Sequence, residues 1–587
     1  MKSVPGGRVK SVEELLERVR AGAPLQGARL DGLDLAGRDL TNLPLGRVKF
    51  LRASLRGARL AGSALSGAHF VECDLREADL AGCALDGALV LGSNLEGARL
   101  VGATLTRAKL SYQRLARADL SGAMLVEVEA VGSDLAGARL VGATLSGSRL
   151  DLANLEGADL TEARVARASF TRANLRGARL ARARVEACAF VGADLGGADL
   201  EGAELDRVVF VKADLRGARF PRRMRGVVLD EARLGRPELA GKDLAGTDLD
   251  GADLSGLDLS GADLSLCSLR GADLRGADLR GARLERSILS DCDLTGADLR
   301  GASFHGCDLS RSILRGVDLS GRDLESVILI DADLEGADLT AARLVRCILD
   351  GARLARANLT RAVLQQALLR GAALEGAVVG KTIFDRVDFS GVDLRAVSFA
   401  GLTVHRCAFM EANLERMSLR DCDFMGSDFS QANLRGADFE GSILTQARLR
   451  GAALDGASLP DVVAKAAYFG GASLRGAKLS RAMLRYATFT RADLERANLA
   501  AADLRDAMLD HAEARGALFL SARLERANLS HARVEEADFS EADLGGANLH
   551  ALHDEGARFS GARLLGARRT DIERAEAEAY TPPRPPR

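Results

Sequence analysis

Nine cysteines and seven histidines are the residues of this 587-residue chain that could most readily bind a metal ion or carry redox chemistry. The cysteines never stand in a C-x-x-C spacing, and all nine occupy one position, two residues before a bulky apolar residue. His511 and His531 are twenty residues apart, and His550 and His553 follow them. We predict that the cysteines are inert small side chains of the interior. We predict surface histidines, and neither a metal site nor a cofactor.

Carboxylates are the second group that could do chemistry. Five aspartates recur every twenty residues: Asp258, Asp278, Asp298, Asp318 and Asp338. Paired carboxylates act as acids, bases or cation ligands only in a recess that shifts their pKa. Aspartate also bonds its own turn, so solvated turn residues are the interpretation we favour over an acidic ladder with a function. The sequence has no nucleophile triad, phosphate-binding loop or dinucleotide fingerprint, and it predicts a protein that is not an enzyme.

An apolar anomaly is the third candidate. The position just before each bulky apolar residue is usually Asp, Asn, Arg or Ser, but four of these positions carry aliphatic residues: Ile288, Ile328, Ile348 and Leu368. They follow a spacing of twenty residues that only Asp308 interrupts. Contiguous outward aliphatic side chains mark partner surfaces, so we predict that these four residues bind a protein partner. The alternatives are β-rich packing beneath a side loop and relaxed selection at the surface.

A five-residue repeat must position all of these side chains. From Leu25 to Phe220, and again from Leu229 to Leu564, nearly every fifth residue is Leu, Phe or Val. All nineteen phenylalanines occupy this central position, and the residue two before it is usually Ala. A period of five residues matches neither the period of an α-helix nor the alternation of a β-strand. The bulky and small residues at two fixed positions indicate a narrow core with one large and one small slot per unit. Phenylalanines and an alternating Asp/Arg series recur every twenty residues, which predicts four units per coil and coils about 4.8 Å apart.

The unit, as in Ala158-Asp159-Leu160, resembles the A-[D/N]-L-x-x repeat of the pentapeptide-repeat family over more than nine-tenths of the chain. The resemblance implies an all-β fold, a right-handed quadrilateral parallel β-helix, with about twenty-seven coils in this chain. Ser11 begins a capping-box pattern followed by an apolar stripe of Leu15, Leu16 and Val19. This pattern predicts a short N-terminal helix that covers the first coil.

Five segments follow from the repeat. They are an N-terminal segment with the capping helix (1–24), a first repeat block (25–220), an irregular junction (221–228), a second repeat block (229–564) and a C-terminal cap with a Pro/Arg-rich tail (565–587), which we expect to be extended and mobile. The step from Phe220 to Leu229 is nine residues where two units need ten, and we favour one continuous stack with a local defect. Two domains joined by a hinge are the alternative, because the chain is net positive through Arg225 and net negative after it.

Charge and composition narrow the function. A net charge of −2 does not favour nucleic acid as a direct partner. The absence of a signal-like or membrane-length apolar run predicts a cytoplasmic protein without a membrane span, and the scarcity of Lys beside Arg suggests a bacterial source. We predict a non-enzymatic rigid scaffold or adaptor that binds protein partners through its outer faces. The family resemblance adds an association with bacterial effector secretion and one alternative, a DNA mimic that binds a type II topoisomerase such as gyrase. Oligomeric state stays open.

Overall fold

The computed structural model describes residues 7–579. It contains two compact units, Met1–Asp293 and Leu294–Arg587, and each is a parallel β-solenoid of stacked coils. Bridges join residues twenty apart, such as Asp159 and Arg179 in the first unit and Ser473 and Asp493 in the second. The predicted β-helix with four repeat units per coil is confirmed. Within residues 7–579, none of the helices is both long and apolar enough to span a bilayer.

Short strands of two or three residues mark the faces with extended pairing, and every strand pair of the described residues is parallel. The first unit has two five-stranded sheets. One contains β1 (Arg8–Val9), β2 (Arg29–Asp31), β3 (Lys49–Leu51), β4 (His69–Val71) and β5 (Leu89–Leu91), and the other contains β6 (Met124–Val126), β7 (Thr144–Ser146), β8 (Arg164–Ala166), β9 (Arg184–Glu186) and β10 (Glu204–Asp206). The second unit has one four-stranded sheet of β11 (Arg343–Val345), β12 (Val363–Gln365), β13 (Ile383–Asp385) and β14 (Thr403–His405). The helices are α1 (Val12–Arg20) and α2 (Ile572–Ala579).

The core is a set of columns in which inward side chains twenty residues apart lie above one another. Central Leu, Phe and Val residues and the Ala residues two before them are almost fully buried. The rings of Phe170 and Phe190 lie parallel with centroids 4.7 Å apart, and Phe190 and Phe210 continue the column at 5.1 Å. These distances match the spacing of strands in a sheet. The position of a residue within its coil therefore decides which column it extends.

Outer columns carry the polar residues. The alternating Asp/Arg series of the first unit forms one continuous column of bridges from Asp39 to Arg219. Its ion pairs are long and exposed, and Arg99 lies 3.4 Å from Asp79 with about half of its side chain in solvent. Exposed pairs of this kind contribute between about 0 and 1 kcal/mol each. The column therefore contributes little to the stability of the fold, and its main effect is to balance positive and negative charge on this outer face.

Turns at the corners use two devices. A residue in the left-handed region follows most central residues by two positions, and glycine leaves room there where another side chain approaches. At Gly132 (φ 63°) an added Cβ would lie 2.5 Å from a ring carbon of Tyr112. Aspartate side chains accept hydrogen bonds from the main chain of the turn that follows them. Asp159 Oδ1, for example, accepts the N–H of Thr161 at 3.0 Å. Gly and Asp therefore serve the turn, as their repetition suggests.

Cysteine and serine share the small inward slot with alanine. All nine cysteines are buried and unpaired by disulfides. The thiol of Cys83 donates to the carbonyl oxygen of Leu60 in the preceding coil at 2.9 Å, and the hydroxyl of Ser63 donates to Leu40 in the same way at 2.7 Å. Cysteine and serine therefore add a hydrogen bond to a main-chain carbonyl, which alanine cannot do.

We expect the nine thiols to be unreactive in the native protein. Burial raises the pKa of Cys267, Cys292, Cys347 and Cys407 to about 12, and the thiolate fraction at neutral pH falls by about a thousandfold relative to a free cysteine. A disulfide-exchange reagent such as DTNB should release no thiolate product from the native chain and nine equivalents in guanidinium. A thiol that reacts within minutes in buffer would contradict the burial.

The irregular segment 221–228 lies inside the first unit. A bridge joins Val209 to Val228, nineteen residues apart, whereas Arg223 and Asp243 are again twenty apart. One coil is therefore one residue shorter than the others. The inward register continues on both sides of the segment, because Val227 and the Leu and Ala residues that follow it are buried.

The two ends of the chain differ. Ser11 caps helix α1 as predicted, and its hydroxyl accepts the N–H of Glu14 at 3.2 Å. Leu15 of the helix and Leu25 of the first coil are buried. In the last coil, by contrast, Leu564 is only half-buried. The expected extended end is wrong for Ile572–Ala579, which form α2 because Asp571 caps its first turn and alanine and glutamate favour a helix. The Pro/Arg-rich residues 582–587 lie outside the described residues.

Candidate functional site

Three of the four predicted partner-binding residues form one continuous column in the second unit. Bridges join Ile328 to Ile348 and Ile348 to Leu368. We call these residues the first apolar ladder; Ile288 belongs to the first unit. All three side chains are half-buried, because β-branched and aliphatic side chains one coil apart pack against one another. The ladder is therefore an outward surface of aliphatic edges and less exposed than the sequence suggested.

A second apolar ladder was missed. Ile443, Val463 and Met483 are joined by bridges on the neighbouring face of the same unit, and Met483 is 51% exposed. The first ladder was identified by a search for outward aliphatic residues at intervals of twenty positions. The same search would have found the second ladder if it had been applied to the neighbouring face beyond Leu368. The exposed Ile383 lies on the same column three coils earlier. Two adjacent faces of the second unit therefore carry apolar columns.

Acidic residues bound both ladders. Asp308 and Asp388 occupy the bridged positions at either end of the first ladder, and Asp423 and Asp503 do so for the second. The pKa of the Asp503 carboxyl is lowered, chiefly by its hydrogen bonds with Arg505. It is therefore charged at neutral pH. Each apolar column thus ends in a polar rim.

The predicted acidic ladder is divided between the units. Bridges join Asp258 to Asp278 in the first unit and Asp318 to Asp338 in the second. Arg280 forms an ion pair with Asp278 at 2.6 Å, and Arg300 forms one with the fifth member, Asp298, at 2.5 Å.

The other three members of the acidic ladder accept hydrogen bonds from the main chain of their own turns. Asp258 and Asp318 accept the N–H two residues later at 3.0 and 2.9 Å, and Asp338 does so at 2.9 Å. These bonds agree with turn residues that are solvated and partly neutralised by arginine.

Histidines meet at the C-terminal end of the second unit. The rings of His511 and His531 stack with centroids 4.7 Å apart and an angle of 5°, as their spacing of twenty residues suggested. The His550 ring meets that of His531 edge-on at 5.3 Å. His550 is only 3% exposed, so the expected surface position is wrong for it. The exposed His553 is not part of this stack.

Helix α2 supplies the carboxylate that the sequence did not reveal. Nε2 of His531 and Nε2 of His550 each lie 3.1 Å from Oε2 of Glu578. Arg574 Nε donates to the other oxygen, Oε1, at 2.7 Å. Hydrogen bonds from Arg574 and then His550 lower the pKa of the Glu578 carboxyl to about 2. Its position twenty-eight residues after His550 gives no periodic signal; only recognition of α2 as a helix could have pointed to it.

The fold and these surfaces define a class: a repeat solenoid built from five-residue units, with a filled interior and its variable chemistry on the outside. The chain belongs to the pentapeptide-repeat family. The family model described as "Pentapeptide repeats" matches residues 53–90, 114–222, 228–265, 267–376 and 442–551, and "Pentapeptide repeat region" matches residues 382–459. Curated protein sequences include no significant match.

Solved structures with similarity to the chain include pentapeptide-repeat proteins. HetL from the cyanobacterium Nostoc sp. strain PCC 7120, a protein involved in heterocyst differentiation regulation, is 28% identical, with 51% of this chain and 98% of HetL covered and a TM-score of 0.18. Full-length QnrB1, a plasmid-mediated fluoroquinolone resistance protein, is 17% identical over 33% of this chain and 97% of its own, with a TM-score of 0.25. A pentapeptide repeat protein from the Arabidopsis thaliana thylakoid lumen is 31% identical over 21% and 68%, with a TM-score of 0.09.

Proposed function

We propose that this protein is a non-catalytic scaffold that binds a protein partner through the two apolar ladders of its second unit. The observation that carries the proposal is the first ladder, Ile328, Ile348 and Leu368, in which three successive coils place aliphatic side chains at a position that is elsewhere mostly polar. Adjacent coils hold these side chains in fixed positions, so a partner need not order them on binding.

The arrangement has the composition of a protein interface. An apolar centre with a charged rim is typical of surfaces that bind other proteins, and here the aspartates at both ends of each ladder supply the rim. Met483 adds a flexible side chain that adapts to irregular partner surfaces. The carboxylates considered for catalysis in the sequence lie in turns on outward faces, where water competes for them.

Substitution of one residue in each ladder tests the proposal. We expect Ile348→Asn combined with Met483→Asn to reduce capture of the partner by about tenfold or more, because the loss of central apolar contacts weakens interfaces most. Asparagine suits this position: Asn433 and Asn413 already form such a column, with an amide hydrogen bond of 3.1 Å. The measurement is quantitative affinity purification from cells of the source organism.

Asn433→Ser is the matched control, since it changes an outward residue of a polar column in the same unit. It should leave the captured proteins unchanged. Equal recovery of every captured protein by the double variant and the wild type, with both folded by circular dichroism, would show that the ladders bind no partner.

The DNA-mimic alternative needs an uncompensated acidic surface. Arginines pair with Asp278 and Asp298, and the Asp/Arg column of the first unit alternates in sign, so the charge distribution favours the scaffold. An association with effector secretion and a cytoplasmic location stay predictions.

A further inference from the structure

We propose that His531, His550 and Glu578 form a binding site for a divalent transition-metal ion, Zn²⁺, that fastens helix α2 to the last coils of the second unit. One ligand atom from each residue lies within 4.8 Å of the other two. Both imidazole Nε2 atoms lie 3.1 Å from the same carboxylate oxygen of Glu578. Three donors from separate parts of the chain therefore converge on one point.

The two nitrogen–oxygen distances suit a tetrahedral ion. Zinc bonds of about 2.0–2.1 Å place neighbouring ligand atoms of a tetrahedron about 3.3–3.4 Å apart. The two N–O separations need to open by only a few tenths of an ångström. Two imidazoles and one carboxylate are a ligand set that zinc uses with a fourth position left for water. Mg²⁺ and Ca²⁺ prefer six or more oxygen ligands and are excluded by this donor set.

Neighbouring groups hold the three ligands in place. His550 is almost completely buried, and its ring cannot rotate away without opening the last coils. His511 stacks on His531 at 4.7 Å and limits the orientation of that ring. Arg574 binds Oε1 of Glu578, which leaves Oε2 directed at the histidines. Residues that orient ligands in this way raise metal affinity.

One hydrogen bond must be given up. The N–H of Asp571 donates to Nδ1 of His550 at 3.2 Å, so without a metal the ring proton lies on Nε2 and points at Glu578. A metal on Nε2 requires the proton to move to Nδ1, where it displaces the Asp571 N–H. The loss of one hydrogen bond, about 1 kcal/mol, is small beside the affinity of zinc for such ligands. The Asp571 amide is therefore a reporter of metal binding.

Calorimetric titration of the full chain with ZnCl₂ tests the site. We expect one equivalent to bind, and His531→Gln, His550→Gln and Glu578→Gln each to weaken binding by about tenfold or more. His553→Gln, which removes an exposed histidine of the same region, is the control and should bind zinc like the wild type. MgCl₂ should give no heat of binding.

Two further measurements keep the result independent of folding. Zinc should accelerate hydrogen exchange at the Asp571 amide, and Co²⁺ should give intense visible bands of a tetrahedral site in the wild type. Glu578→Gln, in α2 and not in a coil, should abolish these bands without disturbing the coils. Zinc binding that is equal in all three ligand variants, or absent in the folded wild type, would overturn the proposal.

Discussion

Replacing Phe409 with alanine should lower the free energy of unfolding of the surrounding coils by about 3–5 kcal/mol, the loss measured for large buried aromatic residues. The Phe409 side chain is fully buried. Its ring stacks between Phe389 at 5.2 Å and Phe429 at 4.7 Å, and the edges of Phe399 and Phe424 contact it from other columns. Alanine would leave a cavity that the neighbouring coils, bound above and below, cannot close.

Native-state hydrogen exchange is the appropriate measurement, because a long solenoid opens locally and has no single free energy of unfolding. The amide of Phe409, bonded to the carbonyl of Asp428 at 2.7 Å, reports the opening. Phe559→Ala is the matched control. That ring stacks on Phe539 at 5.1 Å but lies half-buried in the last coil, so its loss should be clearly smaller. Equal losses at the two sites would contradict the importance of the stacked core.

Deletion of one whole coil should leave the fold intact. Removal of residues 490–509 joins Phe489 to Asp510 and keeps the five-residue register, so each later side chain enters the column it occupied before. We expect unchanged circular dichroism per residue and a protected backbone on both sides of the deletion. The stability of a stack is approximately the sum of the contacts between adjacent coils, and the deletion removes the contribution of one coil while the others remain.

Deletion of two additional residues, 490–511, should instead unfold the chain beyond the joint. The large inward slot would then receive Arg526, Glu536 and Glu541 in place of leucine and phenylalanine. An unpaired buried charge costs several kcal/mol, which local terms cannot offset. Hydrogen exchange should show protection before residue 490 and little after it. Protection of the later coils in this variant would show that the repeat register does not determine the inward face.

The repeat predicted the coil because the same local rule recurs along the chain. Inward Leu and Phe, small residues two positions earlier and turns with Gly or Asp agree at almost every unit, so errors at single positions such as Ala464 do not propagate. The column of phenylalanines gave the period directly. The N-terminal helix was equally visible, since Ser11 and the residues after it carry a complete capping pattern.

What the sequence did not reveal depends on contacts that have no period. Glu578 reaches His531 and His550 because α2 folds back on the last coils, and a contact of this kind has no signature in the spacing of residues. The burial of the first apolar ladder was also underestimated. An outward position in a flat column is covered on two sides by the residues one coil before and after it.

The direction of the main-chain hydrogen bonds has a mechanical consequence. In each unit the covalent chain runs around the coil, whereas the main-chain hydrogen bonds between successive coils, such as that from Phe409 N–H to the Asp428 carbonyl, run along the stack. Each solenoid is therefore held around its circumference by covalent bonds and along its length by many weak, parallel hydrogen bonds. Cleavage of one peptide bond in a corner turn would leave the cleaved coil hydrogen-bonded to the coils above and below it. Tolerance of such a cleavage is therefore a property of the whole hydrogen-bond pattern and not of any one residue.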